Sequence, residues 1–327
     1  MTGRVAPHDN QLVPSAEEVR GAALRACDVA LRTRMPRSGA LSVLIGADVF
    51  LKCEHEQRTG SFKIRGAYNA IASLRDDERR CGIVASSAGN HGLGVAHAAR
   101  ALGIRATVFV PADAPRVKVD GIRALGATVD ETQPHYDAAH HAAQRFAAAH
   151  GSTFINPCAG RTLLAGQGTV ALEILDDLPD VRTLVVPIGG GGLVGGIAGF
   201  VREVAPSVRI IGVQSEVTNA MAASLAAGRR VEIDTPPTLA DGLAGQIDDE
   251  GYEVGRYAID EMIVVSEREV AEAMAWLWRE HDIRAEGSGA VAVAALLRVG
   301  AFVGPVAAIV TGGNVDEVRW RSAVGGA

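Results

Sequence analysis

The sequence has few cysteines, no long apolar run and no strong charge of either sign, and each absence excludes a class of protein. Its four cysteines, Cys27, Cys53, Cys81 and Cys158, form no C-x-x-C pair. Their spacing indicates neither a zinc site nor a disulfide framework, and it favours reduced thiols in the cytoplasm. No apolar run reaches the roughly 18 residues that a membrane-spanning helix needs. A formal net charge of -6 gives no reason to expect nucleic acid or an anionic membrane as a partner.

Leader, linker and repeat signals are also missing. Residues 1–18, MTGRVAPHDNQLVPSAEE, contain no apolar h-region, so we predict no secretory signal. The chain has no low-complexity tract, no short-period repeat and no obvious linker. At 327 residues it is longer than one typical domain. We therefore predict two lobes that interleave in sequence rather than two domains in series.

What the sequence does contain is an alternation of apolar segments and helical patterns. Ser15 and Glu18 have the spacing of a capping box before the first helix. The predicted buried strands are residues 49–53, 82–85, 106–110, 153–155, 184–188, 208–213 and 306–310. Helices are predicted between them, including residues 62–74, 92–102, 116–125 and 168–175. Strands that are apolar throughout imply an α/β fold with mostly parallel sheets, which bind ligands at the carboxyl ends of their strands.

A run of four glycines, Gly189-Gly190-Gly191-Gly192, follows one of these strands and precedes a helix that begins near Leu193. Without side chains, the backbone approaches an anion closely, and its N–H groups suit a phosphate. A tightly packed turn is the alternative. The spacing Gly190-x-Gly192-x-x-Gly195, with Glu216 after the next strand, also matches a dinucleotide fingerprint, although it lies deep in the chain.

Two further loops after predicted strands are rich in glycine and small polar residues. In residues 86–92, SSAGNHG, the loop amides, Ser87 and Asn90 suit a carboxylate or a ring hydroxyl. His91 by itself is more often a structural histidine than a catalyst. Thr311 opens the loop TGGN, where its hydroxyl either reaches a ring nitrogen or caps a turn.

Lys63 lies in the segment GSFKIRG, residues 60–66, shortly after the predicted strand 49–53. A surface lysine at the start of a helix is the ordinary interpretation. Together with a phosphate loop and polar loops at other strand ends, however, the lysine suits pyridoxal phosphate. That cofactor needs an amine for its Schiff base, an anion site for its phosphate and a partner for its pyridine nitrogen. Lys63, Gly189–Gly192 and Thr311 are the candidates for these three roles.

Six motifs follow one another over about residues 15–316: SFKIRGA, SAGNHG, AGQGTVALEIL, GGGGLVGGIA, ADGLA and GGNVD. In this order they resemble the fold type II, or tryptophan-synthase-β-like, pyridoxal-phosphate enzymes, in the threonine/serine dehydratase and serine racemase branch. The resemblance implies two lobes, each a mostly parallel twisted sheet flanked by helices. Residues 1–79 and 154–327 would form the large cofactor-binding lobe, and residues 80–153 a small mobile lobe. It also implies a homodimer that acts on a small amino-acid substrate.

The resemblance also implies roles for individual residues. Lys63 is expected to bind the cofactor covalently and then to take the substrate's α-proton. The implied cofactor-binding residues are Phe62, Lys63, Asn90, Gly189, Gly190, Gly191, Gly192, Leu193 and Thr311. The implied substrate-binding residues are Ser87, Ala88, Gly89, Asn90 and His91. Within these sets, Asn90 would hydrogen-bond the ring hydroxyl and Thr311 would face the pyridine nitrogen. A hydroxyl cannot keep that nitrogen protonated as a carboxylate would, which favours elimination over transamination.

Three departures from relatives refine this interpretation. Ala88 stands where serine racemases have a serine that acts on the face opposite the lysine, and this favours a dehydratase. Gln214, Thr218 and Ala220 stand where metal-binding relatives place carboxylates, so we predict no metal site, although Glu216 lies close by. The chain ends soon after GGNVD, without the regulatory domain of biosynthetic threonine dehydratases. A catabolic or substrate-specialised enzyme is therefore expected.

The expected protein is a pyridoxal-phosphate-dependent lyase that converts a β-hydroxy α-amino acid, such as L-threonine or L-serine, to a 2-keto acid and ammonia. A racemase, a β-replacement enzyme and threonine synthase are alternatives within the family. An NAD-dependent oxidoreductase and a non-catalytic amino-acid sensor are alternatives outside it. Residues 240–246 and 285–290 are expected to line or support the site, with Glu286 either near the cofactor or behind the site. The substrate stays open among threonine, serine, 3-hydroxyaspartate, phenylserine-type compounds and products of compatible-solute breakdown.

Overall fold

The computed structural model describes residues 11–114, 116–298 and 302–326. The first ten residues, to which the predicted absence of a leader mainly applies, lie outside these ranges. Within them the chain forms nine strands: β1 (Val49–Cys53), β2 (Ile83–Ser86), β3 (Ala106–Pro111), β4 (Thr128–Gln133), β5 (Thr153–Phe154), β6 (Thr183–Pro187), β7 (Arg209–Ser215), β8 (Glu261–Val265) and β9 (Val306–Val310).

The helices of the described residues alternate with these strands. They are α1 (Ala16–Ala26), α2 (Gly39–Ile45), α3 (Lys63–Ala72), α4 (Asp76–Cys81), α5 (Asn90–Leu102), α6 (Arg116–Ala124), α7 (Tyr136–His150), α8 (Arg161–Asp177), α9 (Gly192–Val204), α10 (Ala220–Ala227), α11 (Asp249–Ala258), α12 (Glu267–His281), α13 (Gly287–Arg298) and α14 (Glu317–Gly325). The predicted capping box is present at α1. Ser15 Oγ accepts the Glu18 N–H at 3.2 Å, and Glu18 Oε2 accepts the Ser15 N–H at 2.7 Å.

The strands form two separate sheets in which every pairing is parallel. The larger sheet has the order β1-β9-β6-β7-β8, and the smaller has the order β4-β3-β2-β5. The prediction of an α/β fold with mostly parallel, helix-flanked sheets is confirmed. The smaller sheet spans residues 83–154, so its last strand crosses the predicted lobe boundary at residue 153 by one residue. The division into lobes stays a prediction.

Strands of the larger sheet are mainly apolar because helices cover both of its faces. Along β6, Leu184 and Val186 pack with α1, α8 and α9 on one face. Val185 packs with α12 and α13 on the other face. Burial on both sides removes the polar half of the usual strand alternation, which is why the sequence predicted four of the five strands of this sheet, all except the edge strand β8.

Three details differ from the predicted elements. β4 and β8 are missing from the predicted strands. Both are edge strands, and β4 is largely polar, with no residue fully buried. α8 begins at Arg161, seven residues before the predicted start at Gly168. A Cβ on Gly166 would lie 2.4 Å from Arg65 O, so this glycine permits close packing of α8 against α3 and does not mark a turn.

All four cysteines are described, and none forms a disulfide. Among the residues that the structure describes, no helix combines the length and the apolar character needed to cross a membrane.

Candidate active site

A cleft of about 1120 Å³ opens at the carboxyl ends of strands from both sheets. Its walls include the loops after β2, β6 and β9 and the start of α3. The structure brings into it all of the residues predicted for the site, which are Phe62, Lys63, Ser87, Ala88, Gly89, Asn90, His91, Gly189, Gly190, Gly191, Gly192, Leu193 and Thr311. This is where parallel α/β sheets commonly bind ligands.

Lys63 is the first residue of α3 and is half-buried in the cleft. Its Nζ donates to Pro157 O at 2.8 Å and lies 5.3 Å from the centre of the Phe62 ring. The segment before it is tied to the end of β9, since Phe62 N donates to Thr311 O at 3.1 Å. A Cβ on Gly94 would lie 3.2 Å from Ile64 N, so α5 packs closely against the start of α3. The amine therefore belongs to a fixed part of the cleft rather than to an exposed helix face.

The loop between β2 and α5 presents backbone donors to the cleft. α5 begins at Asn90, and the first amides of a helix have no partner within it. Ser87 Oγ accepts the Gly89 N–H at 3.1 Å and thereby shapes the loop. A Cβ on Gly92 would lie 2.1 Å from Ser87 O, so only glycine fits there without a rearrangement. Free amides at a helix start suit a carboxylate.

The ring of His91 has a more restricted role than the sequence implied. Its Nε2 lies 2.9 Å from Ile155 O, and a carbonyl accepts only, so Nε2 carries the hydrogen. Burial, assisted by the nearby Lys63 charge, lowers the pKa of His91 to about 3. The neutral ring therefore has a bare Nδ1, which is buried without a partner. His91 has only its backbone N–H to offer a carboxylate.

The loop of four glycines connects β6 to α9, a helix of 13 residues. Gly191 has φ +98°, and a Cβ on Gly190 would lie 2.9 Å from Cys158 Sγ. Glycines thus leave the backbone of this loop accessible to an anion, and the positive end of the α9 dipole lies beside it. Glu216, the acid of the dinucleotide alternative, accepts the N–H of Glu267 at 3.3 Å, at the start of α12.

The third loop brings Thr311 and its neighbours to the cleft. Thr311 is buried, and its Oγ1 donates to Ser288 O at 3.3 Å. Ser288 Oγ in turn accepts the N–H of Gly242 at 2.8 Å. Residues 241–246 and Glu286, from the two segments expected to line or support the site, also line this cleft.

Glu286 is a buried carboxyl beside Asn90. Its Oε1 accepts from Asn90 Nδ2 at 2.7 Å. Burial, with the charge of Asp241, raises the pKa of Glu286 to about 7. Sequence reasoning left its position undecided between the cofactor and a supporting layer, because a motif does not give the depth of a side chain.

Sequence reasoning missed Lys118 and Arg319, two cations beside Asp241, whereas Asp241 itself lies in the predicted segment 240–246. Asp241 Oδ2 lies 3.4 Å from Lys118 Nζ and 2.9 Å from an Arg319 guanidinium nitrogen. Lys118 belongs to α6 and Arg319 to α14, so this pairing joins segments far apart in sequence. The ADGLA motif signalled the position of Asp241, whereas Lys118 has no local signal beyond its position in a helix that follows a strand.

The segment after β7 lacks the arrangement of a metal site. Gln214 Oε1 accepts the N–H of Ala222 at 2.9 Å. No cluster of three or more metal-ligating side chains occurs in the described part of the chain. The predicted absence of a metal stays a prediction.

The residues present fit pyridoxal phosphate. The cleft brings together the Lys63 amine, a glycine loop whose backbone suits an anion, and the buried Thr311 hydroxyl. These match the three functional parts of that cofactor. A buried polar atom without a partner in a residue that lines the cleft, such as His91 Nδ1, is typical of a ligand site.

Comparisons with known proteins agree with this fit. Residues 28–312 match the family model "Pyridoxal-phosphate dependent enzyme". The chain is 44% identical to an L-threonine ammonia-lyase of Thermotoga maritima, over 92% of this chain and 75% of that protein. It superposes on maize serine racemase with a TM-score of 0.88 and 32% identity, over 95% and 97% of the two chains. For threonine deaminase isoform 2 of Solanum lycopersicum the TM-score is 0.87 and the identity 30%, over 99% and 93%.

Proposed function

The chain belongs to the pyridoxal-phosphate-dependent enzyme family, and we propose that it is a dehydratase of β-hydroxy α-amino acids. Its products would be a 2-keto acid and ammonia, formed by α,β-elimination from a substrate such as L-threonine or L-serine. The observation that carries the proposal is that the Lys63 amine lines the same cleft as the loop of four glycines and the start of α5. The similarity to an L-threonine ammonia-lyase points to the same reaction.

Each loop contributes one function to the proposed reaction. When bound, pyridoxal phosphate supplies an electron sink for negative charge on the substrate's α-carbon. Gly189–Gly192 and the start of α9 would hold its phosphate, Asn90 would donate to its ring hydroxyl oxygen, and Thr311 would partner its pyridine nitrogen. The amides around Ser87–His91 hold the substrate carboxylate, which orients the α-hydrogen. Lys63, once its amine is free, takes the α-proton.

Ala88 distinguishes elimination from racemisation in this arrangement. Racemisation needs a proton donor on each face of the α-carbon, whereas elimination needs one base and an acid for the leaving hydroxyl. A methyl group at residue 88 donates no proton. We therefore propose that dehydration dominates, although maize serine racemase has the same fold.

The test is keto-acid release by purified protein loaded with pyridoxal phosphate. L-Threonine, L-serine, the 3-hydroxyaspartates and phenylserine would be offered in parallel. Keto acid from at least one of them is the expected result, and the ranking of rates defines the substrate class. No keto acid from any of them, with the cofactor bound, would contradict the dehydratase and favour racemisation or β-replacement. Chiral analysis of the recovered amino acids and assays with added thiols would distinguish those two.

We also propose a division into lobes, an oligomeric state and a cellular location. We propose that residues 80–153 form a small lobe that closes over the substrate, which is supported by their separate sheet and by the Lys118–Asp241 pair across the cleft mouth. A homodimer and a cytoplasmic location are proposed from the family resemblance and from the four free thiols. Sedimentation of the loaded protein tests the dimer, and cell fractionation tests the location.

A further inference from the structure

Asn90 is held by a chain of hydrogen bonds that starts at a backbone carbonyl. Asn314 Nδ2 donates to Thr59 O at 2.7 Å. A carbonyl oxygen only accepts, so the contact fixes which end of the Asn314 amide is nitrogen. The same Nδ2 lies 2.7 Å from Asn90 Oδ1 and donates its second hydrogen there.

The orientation of the Asn90 amide follows from this contact. Because Oδ1 accepts from Asn314, the NH2 group of Asn90 points the other way, and one of its hydrogens is donated to Glu286 Oε1 at 2.7 Å. The second hydrogen on Nδ2 remains for a ligand. A flipped amide would place two NH2 groups against each other at Asn314, so the alternative orientation is unfavourable.

Two glycines leave the space that this relay needs. A Cβ on Gly60 would lie 2.3 Å from Asn314 Oδ1. A Cβ on Gly312 would lie 2.3 Å from Glu286 Oε1 and 3.2 Å from Asn90 Nδ2. Gly60 and Gly312 belong to the two motifs that carry Lys63 and Thr311, so the relay is built into the segments that form the cofactor cleft.

We propose that Asn314 and Glu286 are positioning residues that hold the Asn90 amide with its NH2 group toward the ring hydroxyl oxygen of bound pyridoxal phosphate. The inference rests on the proposed function, from which it takes the contact between Asn90 and the ring. An amide fixed in this way offers only a hydrogen, so it favours the ring oxygen in its ionised state. The relay thereby sets the electronic state of the cofactor before a substrate arrives.

The state of the ring oxygen has a spectroscopic signature that is independent of turnover. In lysine-bound pyridoxal phosphate, visible absorption belongs to the form with an ionised ring oxygen and a protonated imine nitrogen. Near-ultraviolet absorption belongs to the form whose ring oxygen carries the proton. The ratio of the two bands in the loaded protein therefore reports whether Asn90 donates.

Asn314→Asp is the main test, with Asn314→Ser as an uncharged second variant. An aspartate at 314 cannot donate to Asn90 and attracts its NH2 group, so the amide turns and presents Oδ1 to the ring. Loss of a hydrogen bond to a charged oxygen predicts a fall in the visible-to-near-ultraviolet ratio of about tenfold or more. Asn314→Ser, which frees the amide without adding charge, should lower the ratio in the same direction but less.

Two controls separate orientation from charge and from general destabilisation. In Glu286→Gln a carbonyl still accepts from Asn90, so the ratio should stay within about twofold of wild type. Asn69 also joins a backbone carbonyl and a second partner, Thr162 O and Arg25, each at 2.6 Å, but lies outside the cleft. Asn69→Asp should lower the melting temperature and leave the ratio unchanged.

A wild-type ratio in both Asn314 variants, with cofactor bound and keto acid still released, would overturn the relay and leave the proposed function intact. Absence of any visible band in the loaded wild-type protein, with the cofactor attached to Lys63, would contradict the relay alone. Absence of cofactor on Lys63 after borohydride reduction would overturn the Lys63 assignment and the relay with it. A ratio that falls as strongly in Asn69→Asp as in Asn314→Asp would reduce the effect to lost stability and would also contradict the relay.

Discussion

Two polar regions contact the first turns of α3. The region around Lys52 consists of paired charges, and the region around Lys63 does not. On one side, Lys52, Glu54, Arg65 and Glu173 form a buried ion cluster in which the side chains are at most 11% exposed. Lys52 Nζ donates to Glu173 Oε2 at 2.6 Å, and Arg65 Nε to Glu54 Oε2 at 2.7 Å. Two cations are paired with two carboxylates, so the cluster is electrically neutral and every charge in it has a partner.

On the other side, the cleft contains polar groups that are buried but only partly satisfied. Lys63 Nζ contacts a carbonyl rather than a carboxylate. Glu286 has an amide as its hydrogen-bond partner, and the pKa of this carboxyl is raised to about 7. In the ion cluster, by contrast, the guanidinium of Arg65 holds the pKa of Glu54 low even though burial alone would raise it.

The difference indicates how the chain separates stability from chemistry. Charges that are fully paired fix the start of α3 and offer nothing to a ligand. Ionisable groups whose hydrogen-bond partners are uncharged keep their capacity to exchange protons or to bind a ligand. Changes on the two sides of α3 should therefore affect different measurements, and the predictions below test that separation.

The largest effect is expected from Lys63→Ala, on activity alone. Loss of the amine removes both the cofactor attachment and the base, so keto-acid release should fall on the order of 10³-fold or more. The chain has three lysines, at 52, 63 and 118, which allows a direct check. Borohydride reduction of the loaded wild-type protein followed by peptide mass spectrometry should place the cofactor on Lys63. Label on Lys118, or loss of label in Lys118→Ala, would contradict the assignment.

The next largest effect is expected from Arg65→Met, on stability. Removing the guanidinium leaves the buried Glu54 without the cation that contacts it and leaves Glu173 with Lys52 alone, which costs about 3–5 kcal/mol. Urea unfolding of the loaded protein measures the change. Arg65→Lys keeps the charge but not the fork that contacts two carboxylates, so its cost should be smaller. An Arg65→Met protein as stable as wild type would show that the cluster is not what fixes α3.

A third prediction concerns the pH dependence of stability through Glu286. Burial raises its folded pKa to about 7 from the ordinary carboxyl value of 4.5, so the folded state retains a proton that the unfolded state releases. Stability should therefore fall as pH rises from about 4.5 to 7 and level off above that, with a total change of up to about 3 kcal/mol. Urea unfolding of the cofactor-free protein across this range should show a smaller decline in Glu286→Gln. Glu280→Gln, at an exposed site on α12, should follow the wild-type profile.

The contrast between the two regions was only partly predictable from sequence. Strands buried on both faces are mainly apolar, so the positions of most strands along the chain, and the loops after them, followed from pattern. The edge strand β4 was missed because its side chains are mostly polar, and α8 was predicted to begin at Gly168, seven residues after its start at Arg161, in a segment that contains Gly166. In the fold those glycines let α8 approach α3 and α9.

The contacts that give each polar region its character join residues far apart in the chain. Asn90 reaches Glu286 across 196 positions and Asn314 across 224. Arg65 reaches Glu173 across 108. Motifs placed Lys63, Asn90 and Thr311 at the cleft, but a buried lysine such as Lys52 has the same local signal as an exposed one. The tertiary structure therefore determines which charges are paired with an opposite charge and which are left for a ligand, and the sequence pattern does not show this.

The smallest effect, Asp241→Asn, tests whether the open region responds to charge at its rim. Asp241 raises the pKa of Glu286. Lys118 and Arg319, which lie 3.4 and 2.9 Å from Asp241, lower that pKa. Removing the negative charge, and leaving both cations without it, should shift the Glu286 titration to lower pH. The partly exposed ion pairs themselves should contribute under about 1 kcal/mol. The pH at which stability levels off should therefore fall, and the total decline in stability between about pH 4.5 and about pH 8 should be smaller than in wild type. A loss of several kcal/mol would mean that the cleft mouth is as closed a network as the cluster around Arg65, and the contrast between the two regions would not hold.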